Sequence, residues 1–174
     1  MGRAGFLLLA SMLSGPAWAD DIGGLRTMDL GVQGRLSEHC AIGAIENHSF
    51  GDLTQPAAEF ATRVPLVCNL PVNVTIRSAH GGLANTEHPR GEGPYAGNLP
   101  YRMNVVLPVR TPTQSVLSED FQSVDLLAGR TISTNGGIAV DGMTLYIALD
   151  RPTSAAGLLG GDYSEVIEIT VTPG

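Results

Sequence analysis

The chain has 174 residues and a formal charge of −7, with 10 Lys plus Arg against 17 Asp plus Glu, and every one of its basic residues is arginine. An acidic surface of this kind repels phosphate backbones and anionic lipid headgroups, which argues against nucleic acid or a membrane as partner. With 22 Gly and 11 Pro, an architecture of long helices is disfavoured as well.

Residues 1–19 read as a secretory signal peptide. Arg3 supplies a short positive segment, Phe6 to Leu13 an apolar one, and Ala17-Trp18-Ala19 a small-x-small cleavage site. The apolar run falls short of the roughly 20 residues that span a bilayer, so an uncleaved anchor is the weaker alternative. The rest of the chain, from Asp20 onward, is expected to be exported, without membrane insertion, and of single-domain size.

Residues 20–36 form an arm with one distinctive run. Met28, Leu30, Val32 and Leu36 fall on every second position, with Gly34 in the remaining place, as in a strand with one apolar face. The arm precedes Cys40 and Cys68, the only two cysteines. An even count in an oxidising compartment predicts one disulfide, worth about 3–4 kcal/mol for a loop of about 29 residues. A metal site drawing Cys40 together with His39 and His48 would lack the paired ligand spacing of zinc sites.

Residues 37–174 then alternate apolar and polar side chains in a series of short strands. One includes Val64–Val67 and, past Pro71, Val72, Val74 and Ile76. A second carries Tyr101, Met103, Val105 and Leu107 and is closed by Pro108; a third carries Met143, Leu145, Ile147 and Leu149. The last places Tyr163, Ile167, Ile169 and Val171 on one face. Gly81-Gly82, Asn135-Gly136-Gly137, Asp141-Gly142 and Gly160-Gly161 supply turns. Ala79 to Asn98 reads as a long surface loop, and Val124–Ala128 as either a strand or a helical turn. The pattern predicts an all-β, antiparallel sandwich.

Residues for chemistry are sparse. There is no nucleophile elbow, phosphate-cradling loop or His-Glu-x-x-His helix, so neither an enzyme nor a cofactor is expected, and no metal. His80 and His88 fall in the predicted loop as solvated imidazoles. Glu119 and Asp120 are adjacent and read as a solvated turn rather than an acid–base pair.

Several short motifs, in order, resemble the spore coat protein U domain, a family that includes pilin subunits of archaic chaperone–usher pili. They are Cys40-Ala-Ile-Gly43, Phe50-Gly51, Val64-Pro-Leu-Val-Cys68, Leu99-Pro-Tyr101-Arg-Met103, and Gly161-Asp-Tyr163-Ser-Glu165 followed by Val-Ile-Glu-Ile-Thr-Val171. The resemblance implies an incomplete immunoglobulin-like sandwich, lacking its final strand, whose groove exposes core side chains. A periplasmic pilus chaperone would fill that groove first. At an outer-membrane usher, the N-terminal arm of a neighbouring pilin subunit would replace it, building a surface fibre for adhesion or biofilm formation. On that reading Met28, Leu30, Val32, Gly34 and Leu36 are the donor-strand plugs, while Tyr163, Ile167, Ile169 and Val171 line the acceptor groove. The alternative is a self-contained secreted β-sandwich binding module or a coat protein.

Overall fold

The computed structural model describes residues 28–54 and 59–174. The expected signal peptide and residues 20–27 of the arm lie outside the described residues. The chain divides into two units, Met1–Arg35 and Leu36–Gly174. In the first, the described residues 28–35 belong to no strand.

Among its described residues the second unit is all-β, with twelve strands and a single 3₁₀ turn. In chain order these are β1 (Cys40–Ile42), β2 (Glu59–Val64), β3 (Leu66–Cys68), β4 (Pro71–Ser78), β5 (Leu83–Asn85) and β6 (Asn98–Leu99), then β7 (Tyr101–Thr111) and β8 (Thr113–Gln122). After the 3₁₀ turn Ser123–Ala128 come β9 (Arg130–Ala139), β10 (Met143–Leu149), β11 (Tyr163–Ser164) and β12 (Ile167–Pro173). Every ladder between named strands is antiparallel. The largest sheet runs β12-β4-β9-β7-β10-β2, with β8 added on β7; β1 pairs β3, and β11-β5-β6 form a small third sheet.

The core follows the period-two pattern. On β7, Tyr101, Met103, Val105, Leu107 and Val109 are buried, as are Val72, Val74 and Ile76 on β4 and Met143, Leu145 and Ile147 on β10. Each alternating row faces inward because successive strand side chains point to opposite faces. Asp141 and Gly142 both take positive φ (61° and 75°) between β9 and β10; these strands do not pair with each other but follow one another antiparallel to β7, so the left-handed pair re-aims the chain rather than closing a hairpin.

Three sequence expectations are corrected. Pro108 does not close its strand, since β7 continues to Thr111. Its carbonyl accepts from Val140, so its missing N–H falls on the side where β7 changes partner from β10 to β9, between Val106 and Val109. Asn135-Gly136 is not a hairpin turn but an irregularity inside β9, where both residues have positive φ. There the register of β9 on β4 shifts between Ser133 opposite Asn73 and Ile138 opposite Pro71, and beyond the shift β9 also pairs β7; the buried Thr134 hydroxyl holds the junction through Val72 N (2.9 Å) and O (3.0 Å). The Ala79–Asn98 segment is not simply surface, because Leu83, Ala84 and Asn85 are buried in β5. Val124–Ala128, expected as either a strand or a helical turn, falls within the 3₁₀ turn Ser123–Ala128, which buries Leu126.

The fully buried Tyr101 hydroxyl has no hydrogen-bond partner. Burial, reinforced by the negative charge of Glu165 and opposed by the nearby Ser78 hydroxyl, raises its phenol to about 12. Ser78 gives its own proton to Glu165. Because the unfolded phenol ionises near its ordinary value of 10, Tyr101 should cost the fold stability as pH rises from 10 to 12 and nothing below. Tyr101→Phe should therefore fold with near-unchanged stability at neutral pH and lose less of it between those pH values than the natural chain. Denaturant melts across that range check both statements.

Candidate functional site

The site is built by how β12 is laid onto β4. Its register sets Ile167 opposite Ser78, Ile169 opposite Ile76 and Val171 opposite Val74. At the two ends, Ala79 N donates to Val166 O (3.0 Å) and Gly174 N to Pro71 O (2.9 Å). Antiparallel ladders alternate, so Glu168, Thr170 and Thr172 spend their backbone groups on β4, as do the Val166 carbonyl and the Gly174 N–H. The N–H and C=O groups of Ile167, Ile169 and Val171 therefore point along the other edge, where β12 pairs with no strand among the described residues. The same three residues send their side chains inward, yet remain half-buried, while Val74, Ile76 and Ser78 beside them on β4 are fully buried. One edge thus combines free backbone groups with an incompletely covered apolar row.

In the largest sheet two other strands, β8 and β2, are also unpaired on one side among the described residues, and they differ in chemistry. On β8 the inward row runs Leu117, Glu119, Phe121, placing a carboxylate between two half-buried apolar groups. An inward charge on an edge strand discourages strand addition. Glu119 and Asp120 therefore lie in a strand, on opposite faces, and not on the expected turn. On β2 the inward Phe60 is covered by the His48 ring stacked on it (centroids 3.9 Å apart) and by Phe50 at 5.2 Å. Of the three edges of the largest sheet, only that of β12 presents, among the described residues, an inward row with neither charge nor aromatic lid.

The expected groove residues are not all brought together. Tyr163 belongs to β11, paired with β5, and its hydroxyl donates to Leu159 O (2.7 Å) with Ala96 O at 3.2 Å. The strand breaks at Glu165, a feature not read from the sequence. That side chain, 5% exposed, accepts from the Ser78 hydroxyl (2.7 Å) and from the backbone N–H groups of Ala79 (3.0 Å), His80 (3.1 Å), Gly82 (2.9 Å) and Val166 (2.7 Å). Glu165 therefore fixes where β12 begins. His80 is accordingly no free loop imidazole, since its Nδ1 lies 3.4 Å from the same carboxylate.

The apolar positions of the arm lie open to solvent. Met28, Leu30, Val32 and Leu36 are 93%, 85%, 83% and 82% exposed. A Cβ added at Gly34 would meet nothing within 4 Å. The chain just past the arm is held hard. Cys40 and Cys68 form the disulfide, and β1 pairs β3 beside it. The Asn69 side chain receives His39 N (2.7 Å) and donates to Ser37 O (2.8 Å).

No group of three His, Cys, Asp or Glu with metal-site geometry occurs among the described residues. No protein-family profile, curated protein or solved structure matches the chain significantly. What the structure defines is a class: an all-β, antiparallel, sandwich-like fold in which β12 is unpaired along one edge among the described residues.

Glu165→Ala should leave several N–H groups of the 79–82 turn without an acceptor and lower stability by about 2–3 kcal/mol. Comparing denaturation midpoints of the two proteins checks this.

Proposed function

We propose that the protein is a fibre-forming structural subunit of the chaperone–usher pilin kind, polymerising when the arm of one copy adds as a strand along β12 of the next. The observation that carries the reading is the β12 edge, whose free backbone groups and half-covered apolar row belong to the same three residues. The arm supplies what that edge lacks. Nine residues from Met28 to Leu36 reach about 26 Å when extended, against about 20 Å for the seven-residue β12. Their apolar side chains, spaced by two, are matched to inward positions spaced by two.

Energy favours the exchange. Each large apolar plug moved from solvent into a groove contributes about 1.5–3 kcal/mol, and the backbone pairing adds to it. Ordering the arm offsets part of this gain. Before assembly, a periplasmic pilus chaperone lends a strand to the same edge, which would otherwise invite aggregation. An outer-membrane usher is where the neighbour's arm replaces it. The Cys40–Cys68 disulfide and the Asn69 clamp suit a fibre, since they tie the root of the arm to the sandwich through which pulling force would pass. In this role the chain needs neither catalytic residues nor a cofactor.

Deleting residues 20–36 should give a subunit that folds and binds chaperone but adds to no fibre. Val32→Asp should spare the fold and weaken strand addition by roughly 3 kcal/mol or more, about a hundredfold, because a carboxylate would enter an apolar groove. Fibre yield by electron microscopy and sedimentation checks both. Undiminished fibres from either variant would count against the arm as donor, and a stable, chaperone-free monomer of the natural chain would favour a self-contained binding module.

A further inference from the structure

The outward face of the β8-β7-β10-β2 layer, away from the core and from β12, holds a hollow of about 890 Å³. Its origin is legible in the register. Asp120, Asn104, Tyr146 and Ala61 lie in one row across the four strands, and the adjoining row runs through Arg102 and Ala148. The two alanines leave room on either side of the larger groups, and Tyr146 is 50% exposed in the middle of the face. An exposed ring at the centre of a sheet face, bordered by methyl groups, forms an apolar floor with a polar tip.

The polar groups on the rim are held in place. Asn104 donates both hydrogens of its amide, to Ser118 Oγ (3.0 Å) and Asp120 Oδ1 (3.0 Å), so its carbonyl oxygen remains as an acceptor. Arg102 spends Nε on Asp150 (3.0 Å), so its terminal nitrogens remain as donors. Arg102 and Asn104 are two residues apart on one strand, about 7 Å, and present a fixed donor fork and a fixed acceptor side by side. Groups fixed in advance lose little entropy when a ligand arrives.

We infer that this hollow is a binding site for a neutral saccharide. Its rings offer a face of C–H bonds to Tyr146 and hydroxyls that both donate and accept to Arg102, Asn104 and Asp120. Anionic ligands are disfavoured, because Asp120, Asp150 and Glu59 outnumber the single arginine. The hollow is open, so it suits a run of an extended glycan more than an engulfed small molecule. The inference does not depend on the role of the arm.

Saturation-transfer NMR of the full chain with cello-, malto-, manno- and chito-oligosaccharides tests it. At least one series should receive transfer. Tyr146→Ala should weaken that binding by about tenfold or more, while Tyr146→Phe, which keeps the ring, should retain it within about threefold. Unchanged melting temperatures would show that both variants fold. Transfer to none of the four series, binding indifferent to Tyr146→Ala, or binding of an oligoarginine peptide alone would overturn the assignment.

Discussion

The antiparallel ladder between β12 and β4 is the constraint on which the rest turns. It commits one side of β12 to the sheet, and by the alternation of such ladders it leaves the backbone of Ile167, Ile169 and Val171 for something else. It also turns their side chains toward a core that covers them only in part. Shifting β12 by one residue would send Glu168, Thr170 and Thr172 inward. The Glu165 clamp, which fixes the start of the strand against the 79–82 turn, therefore protects the chemistry of the edge as well as the stability of the fold.

The edges of the layers are not equivalent, and the difference is chemical. Glu119 stands in the inward row of β8, and the His48–Phe50–Phe60 cluster covers the inward side of β2. Each lowers the gain from adding a strand there. The β12 edge has no such protection among the described residues, and an edge of that kind calls for a partner. On the proposed reading, the exposed arm fits the need in length, parity and hydrophobicity. The disulfide and Asn69 hold the chain just beyond it in place.

Much of the fold was legible because buried strands write their burial into the sequence. β4, β7 and β10 each alternate cleanly, and each is covered on one face by the core. β8 was not legible, since an edge strand exposed over most of its length can carry Thr113, Ser115 and Glu119 on its inward side and still pair. Asn135-Gly136 misled because the same positive-φ chemistry serves a hairpin or a mid-strand irregularity, and only the partners of β9 distinguish them. Of the expected groove, Ile167, Ile169 and Val171 came together, while Tyr163 was separated from them by a break at Glu165 that depends on hydrogen-bond donors 83 to 87 residues away. The outward hollow was invisible for a related reason. It arises from four strands set side by side, and no local window contains Tyr146, Asn104 and Ala61 together.

Amide hydrogen exchange on β12 tests the central claim most directly, using a subunit lacking residues 20–36 with and without a synthetic peptide of that segment. The amides of Ile167, Ile169 and Val171 should exchange quickly in the subunit alone and become protected when the peptide is added, while those of Glu168, Thr170 and Thr172 should be protected in both. Protection of all six without the peptide, or no change on adding it, would contradict the account.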